Sequence, residues 1–204
     1  MYVPQHFALD DLPAIHAIIR ENSFATLVST RSGEMVASHL PFMVSEGGPA
    51  GFGVLRAHMA RANAHWQQFD GETEALVIFE GVHGYISPDW YARGKAVPTW
   101  DYIAVHAYGT PRIIEHEAAV VAMLHELVHV YEDGRETPWR SEDQEASYIA
   151  GMAKGIVAFE ILISRLEGKA KLGQNRPTDQ PSVVAALANS QSNLAAAIRT
   201  ANGL

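Results

Sequence analysis

The most explicit chemical spacing in the chain is His125-Glu126-Leu127-Val128-His129, a complete H-E-x-x-H pattern. Residues four apart share a helix face, so the two imidazoles could hold a zinc ion beside Glu126 as general base, the arrangement of a zinc metallohydrolase. Such a centre also needs a third protein ligand and an open coordination position. The continuation Val130-Tyr131-Glu132-Asp133-Gly134-Arg135 brings no third histidine, which leaves Glu142 and Glu145 as downstream carboxylates. The competing reading, preferred here with no metal ligand assigned, is a structural helix. In it Leu124, Leu127, Val128 and Tyr131 pack while the histidines cap or face water. The absence of cysteine excludes a disulfide framework, a thiol nucleophile and a cysteine metal cluster. No phosphate-loop signature occurs, and Gly51-x-Gly53 lacks the rest of a dinucleotide fingerprint.

The elements that must position these groups are legible from periodicity. Asp10-Asp11-Leu12-Pro13 combines a cap with a proline at a helix start, and Leu12, Ile15 and Ile19 follow at helical spacing. Phe24, Thr26, Val28 and Thr30 alternate as a strand, Ser32-Gly33 turns, and 35–42 returns as its partner. A short helix is expected over 57–69, carrying Trp66, followed by a buried strand at 75–79. Glycines and prolines divide the aromatic stretch 85–102 into strand ends and a loop, and 103–109 reads as another strand. The run 117–132 is helical, and Ser141-Glu142-Asp143-Gln144 resembles a capping box that opens a further helix. A strand at 156–166, a polar loop at 167–176 and an alanine-rich helix after Pro181, packed through Val184, Leu187, Leu194 and Ile198, complete the chain.

Hairpins first and helices later argue against a doubly wound fold and for an α+β fold around a small antiparallel barrel. The 204 residues, 48% hydrophobic and 19% charged, suit one globular domain over 1–204 including its C-terminal helical extension. The formal net charge of -8 disfavours nonspecific attraction to nucleic acid, although a specific DNA contact stays open. Without a basic leader or a long apolar run, a cytoplasmic location with no membrane association is expected.

Several linked blocks carry a family resemblance. They are Met1-Tyr2-Val3-Pro4-Gln5-His6-Phe7, Tyr85-Ile86-Ser87-Pro88-Asp89-Trp90-Tyr91, Val97-Pro98-Thr99-Trp100-Asp101-Tyr102, Val105-His106, and the C-terminal 168–176. Over nearly its whole length the chain resembles the PaiB family of FMN-binding split-barrel proteins, described as negative transcriptional regulators. The resemblance implies an antiparallel split β-barrel with flanking α-helices, a homodimer, and a flavin mononucleotide site near the subunit interface. Ser38-His39-Leu40-Pro41-Phe42 and His58-Met59-Ala60-Arg61-Ala62-Asn63 look like early site-forming regions. This chain has Ala57-His58, Asn63-Ala64 and Gly173-Gln174-Asn175 where family forms often carry Gly-His, Asn-Pro and Ser-Gln-Asn.

FMN presents an anionic phosphate, a polyhydroxyl chain and a flat ring, so its pocket needs cations, neutral donors and an aromatic platform. Arg56, Arg61, Lys95, Lys169, Lys171 and Arg176 form the cationic pool, and Ser38, Thr99, Gln174 and Asn175 the neutral one. Trp100 and Tyr102 would flank the ring. The cofactor-binding set expected from the resemblance is thus Ser38, His39, Arg56, His58, Asn63, Lys95, Thr99, Trp100, Tyr102, Gln174, Asn175 and Arg176. Each has a structural alternative: a strand-end anchor for His39, a cap for Asn63, a solvated charge for Lys95, a tight turn for Gln174-Asn175. The implied function is an FMN-binding transcriptional regulator or flavin-dependent regulatory module, with specific DNA or a regulatory protein as partner. A flavin-dependent oxidoreductase is the alternative, since no sequence feature names a hydride donor, a substrate or a DNA-reading helix.

Overall fold

The computed structural model describes residues 1–92 and 96–204. Helix α1 (Leu12–Glu21) starts as its sequence requires: Asp11 accepts a hydrogen bond from the Ala14 amide at 3.0 Å, and Pro13 occupies the first turn. Strands β2 (Phe24–Arg31) and β3 (Glu34–Pro41) form a hairpin closed by Ser32 and Gly33, both at positive φ (52° and 83°). That pair of left-handed residues matches the right-handed strand twist.

The remaining strands are β1 (Ala8–Leu9), β4 (Met43–Ser45), β5 (Val54–Ala60), β6 (Ala75–Ile86), β7 (Thr99–Ile113) and β8 (Ile156–Lys171). They make one antiparallel sheet in the order β3-β2-β6-β7-β8-β5-β4, with β1 added to β8. The order is a path with two ends, so the split β-barrel expected from the sequence is corrected to an open eight-stranded sheet. The physical reason is how the end strands spend their hydrogen bonds: β3 pairs along its length with β2, a ladder that the Phe42 amide extends to Ser23 O at 2.8 Å, while the three-residue β4 pairs with β5, so among the described residues no strand bridges the two ends.

By contact the chain forms two compact units. Unit 1 comprises Met1–Asn22, Ile78–His106 and Glu167–Leu204; unit 2 comprises Ser23–Val77 and Ala107–Leu166. In unit 1, helices α4 (Gln180–Leu187) and α5 (Ser192–Ala201) bury Val183, Val184, Leu187, Leu194 and Ile198 together with Ile86 and Leu172. The expected packing residues are right, but the alanine-rich segment is two helices rather than one. In unit 2, Leu27, Phe42, Leu55, Met59 and Phe159 are buried, and Phe159 meets both Phe42 and Phe69. Helices α2 (Glu117–Glu132) and α3 (Ala146–Ala153) add a second cluster through Val120, Met123 and Ala153 against Met43 and Ala158.

Three further expectations are corrected. Residues 57–60 belong to β5, because Leu55, Ala57 and Met59 alternate inward at period 2, and only Ala64–Gln68 turns, as a 3-10 segment. Ser141 caps nothing: α3 begins five residues later, with Glu145 at its cap position, and the Ser141 hydroxyl faces His125. The supposed loop at 167–176 is strand as far as Lys171, with Gly168, Lys169 and Ala170 buried. Gly168 permits the pairing with Leu9, whose Cβ would lie 2.8 Å from any Cβ added there.

Candidate functional site

Within unit 2, the hairpin register brings Ser29 and Ser38 to the inward face that Leu27 also occupies. His65, 2% exposed, lies between them: Nε2 is 2.8 Å from Ser29 Oγ and Nδ1 is 2.8 Å from Ser38 Oγ. Ser29 donates to Gln68 Oε1 at 2.7 Å, which uses its only proton, so it must accept from His65 Nε2–H. Ser38 accepts from Asn63 Nδ2 at 3.0 Å and gives its proton to His65 Nδ1. A one-way chain runs Asn63, Ser38, His65, Ser29, Gln68, and it requires a neutral, Nε2-protonated imidazole. Burial holds the His65 pKa below its ordinary value, which fits that tautomer. Asn63 also accepts from the His65 amide at 3.0 Å, capping the 3-10 segment.

His39 faces solvent, bonds Thr26 Oγ1 at 3.0 Å and stacks on Phe24. His58 is half-buried, its Nδ1 has no hydrogen-bond partner among the described residues, and desolvation lowers its pKa. Arg56 pairs with Glu126 of α2 at 2.7 Å. The central glutamate of H-E-x-x-H is thereby committed to an ion pair. His125 Nδ1 meets Ser141 Oγ at 2.5 Å, and His129 bonds Asp133 Oδ1 at 3.0 Å and Glu142 Oε1 at 2.7 Å. The motif pins the segment after α2 to the helix. Among the described residues no group of three His, Cys, Asp or Glu side chains could hold a metal ion.

Within unit 1, Lys171 Nζ donates to Thr99 Oγ1 at 2.7 Å, to the Trp100 carbonyl and to Asp101 Oδ1 at 3.1 Å. Burial raises the Asp101 pKa and Lys171 opposes the rise, so the pair is a partly buried ion pair within the strand block. Lys169 is no solvated surface charge: it is 6% exposed, donates to Tyr2 O at 3.0 Å and lies 5.0 Å from the Tyr102 ring centroid. Gln174 closes its own turn, accepting from the Leu172 amide and donating to Ala170 O, both at 2.8 Å. Arg176 pairs with Asp179 at 2.7 Å and sits over the Tyr91 ring, while Asn175 is exposed. Lys95 lies outside the described residues.

The same unit presents an aromatic ridge. Trp100 and Tyr85, 56% and 41% exposed, meet edge to face at 6.2 Å. On one side is a cavity of about 670 Å³ lined by His83, Tyr85, Trp100, Gln191, Ser192 and Asn193. A second, of about 460 Å³, is lined by His83, Trp100, Tyr102, Ile78, Glu80 and His106. An exposed flat ring beside amides and hydroxyls fits the donor and stacking needs of a flavin ring and its ribityl chain.

Sequence reasoning missed His65, Ser29 and Gln68, and it missed His83 and 191–193. The first three carried a usable signal: once Ser32-Gly33 sets the register, Leu27, Ser29 and Ser38 fall on one inward face, and buried hydroxyls there demand partners. The second group had none, because α5 reaches β6 across more than a hundred residues of chain.

Residues 1–165 match the family model described as "Putative FMN-binding domain", and the chain belongs to this FMN-binding, PaiB-like family. It is 34% identical over 192 residues to the protease synthase and sporulation protein PAI 2 of Bacillus subtilis, covering 94% of this chain and 91% of that protein. In three dimensions it is similar to the flavocytochrome Anf3 of Azotobacter vinelandii, with TM-score 0.60 and 16% identity over 83% of this chain and 72% of that one. It is also similar to a FAD- and heme-binding protein of Mycobacterium smegmatis, with TM-score 0.58 and 16% identity over 80% and 73% of the two chains. These structural likenesses show the fold.

Proposed function

We propose that this protein is an FMN-carrying regulator of transcription, acting as a cytoplasmic homodimer through specific DNA or a regulatory protein. The observation that carries the cofactor's place is the exposed Trp100–Tyr85 ridge and the cavities beside it. The regulatory role rests on the similarity to PAI 2, a sporulation protein by its name. Bound FMN supplies a flat ring that takes up and returns electrons, which suits a sensor. Trp100, braced by Tyr85, and Tyr102 would hold the ring, Thr99 would supply a hydroxyl for its polar edge, and Gln191 and Asn193 would supply amides for the ribityl chain. Ser38 and Asn63 hold the 3-10 segment of unit 2, and Gln174 shapes the turn after β8.

FMN titration followed by flavin fluorescence tests the cofactor assignment, with Trp100→Ala and Tyr85→Ala expected to weaken binding by about tenfold each while unfolding transitions stay cooperative. Unchanged affinity in both variants would move the ring elsewhere. Selection of genomic DNA fragments by the FMN-loaded protein tests the regulator. Recovery of no preferred site or protein partner, together with steady turnover of a nicotinamide donor, would replace it by an oxidoreductase.

A further inference from the structure

Unit 2 contains a cavity of about 410 Å³ enclosed by the end of β7, the first turn of α2, α3 and the start of β8. Its floor is apolar, formed by Ile114, Val120, Ala153 and Ala158. Its rim carries four exposed charges, Arg61 and Lys154 against Glu115 and Glu117. Among the described residues these four make no ion pair with one another or with any other group. Arg61 is nevertheless held in place: Nε donates to Lys154 O at 2.9 Å and Nη2 to Ile156 O at 2.7 Å. Trp66 donates from Nε1 to the Arg61 carbonyl at 3.1 Å, which ties an aromatic wall of the cavity to the backbone of Arg61.

We infer that this cavity binds a small zwitterion with an apolar body, and that a free hydrophobic α-amino acid is the class of ligand it takes. The volume lies in the range of small-molecule sites, and the apolar floor supplies the hydrophobic contact. The charge pattern selects the head group. A simple carboxylate attracted by Arg61 and Lys154 would be repelled by Glu115 and Glu117, and a simple amine would meet the converse. Only a ligand carrying both charges finds opposite partners for each. Because the cations and carboxylates do not neutralise each other, the ligand does not have to break existing ion pairs. The inference stands on this cavity alone and is independent of FMN binding.

Calorimetric titration of the full chain, without added flavin, tests it. The probes are L-leucine and L-phenylalanine, with 4-methylpentanoate and 3-methylbutylamine as leucine analogues lacking the amine or the carboxylate. At least one amino acid should bind saturably, with each leucine analogue at least about tenfold weaker than the amino acid that binds. Ala150→Phe, which intrudes on the space, should abolish binding. Glu117→Gln and Lys154→Ala change exposed side chains that leave the floor intact, and should each weaken binding by about fivefold or more. The inference fails if neither amino acid saturates by about 10 mM, if the analogues bind equally well, or if affinity is unchanged in all three variants.

Discussion

His65 can satisfy its neighbours in one protonation state only. A second proton on Nδ1 would point at Ser38 Oγ, which already receives the Asn63 amide, and the serine's own proton would lose its acceptor. Replacing Ser38 by alanine leaves Asn63 Nδ2 and His65 Nδ1 unpartnered in a buried place. We expect a loss of about 1–3 kcal/mol in urea unfolding, with Asn63→Ala adding less than its separate cost in the double variant because both act on one chain of bonds. The same chain sets an acid limit. Burial lowers the pKa of His65 and of His58, so the unfolded state takes up protons that the folded state refuses. Their contribution to stability is complete above the unfolded value of about 6.5 and is lost as pH falls from there through the folded values. Unfolding free energy measured from pH 7.5 to pH 5 should therefore decline, and His65→Gln should flatten the slope; a slope unchanged in that variant would assign the acid response to other groups.

At the scale of elements, one turn and one close approach constrain the strands. Ser32 holds φ at 52°, a region that costs a β-carbon-bearing residue energy and that asparagine tolerates better. Ser32→Asn should raise stability by about 0.5 kcal/mol without moving the β2–β3 register. Gly109 of β7 is the opposite case: an added Cβ would lie 2.2 Å from the Leu162 carbonyl of β8, so Gly109→Ala should cost about 1–3 kcal/mol or prevent folding. The α2 terminus behaves differently with pH. Both nitrogens of His129 face carboxylates, Asp133 and Glu142, and these bonds raise its pKa. An imidazole donates to both only as the cation. Its hold on Glu142 is present below about pH 6.5 and lost as pH rises through the higher folded value. Hydrogen-exchange protection factors over 134–142 should fall across that range in the native protein and stay level in His129→Gln.

For the whole molecule, the sharpest expectation concerns assembly. The proposed homodimer is expected to persist after FMN is removed, since a standard protein interface buries far more surface than a cofactor adds. Light scattering of flavin-free protein at micromolar concentration would show it, and a monomer throughout would make the cofactor the cement. No helix among the described residues is long and apolar enough to cross a membrane.

Local chemistry was readable wherever one stretch of chain settles its own structure. The Asp11 cap, the Ser32-Gly33 turn and the 117–132 helix follow from propensities and spacing within a few residues, and all are present. Family membership followed from aromatic and polar blocks in order along the chain, which need no coordinates to compare. What sequence alone left undecided depends on partners distant in the chain. The sheet's open ends depend on which strands pair, β3 with β2 and β4 with β5, and the role of Glu126 on Arg56 lying 2.7 Å away across seventy residues of chain. His58 and His65 look alike as residues; among the described residues one has a buried nitrogen without a hydrogen-bond partner, whereas the other completes a five-member relay because β2 and β3 present Ser29 and Ser38 to it. Hydrogen bonds and burial are properties of juxtaposition, and juxtaposition is what tertiary folding adds.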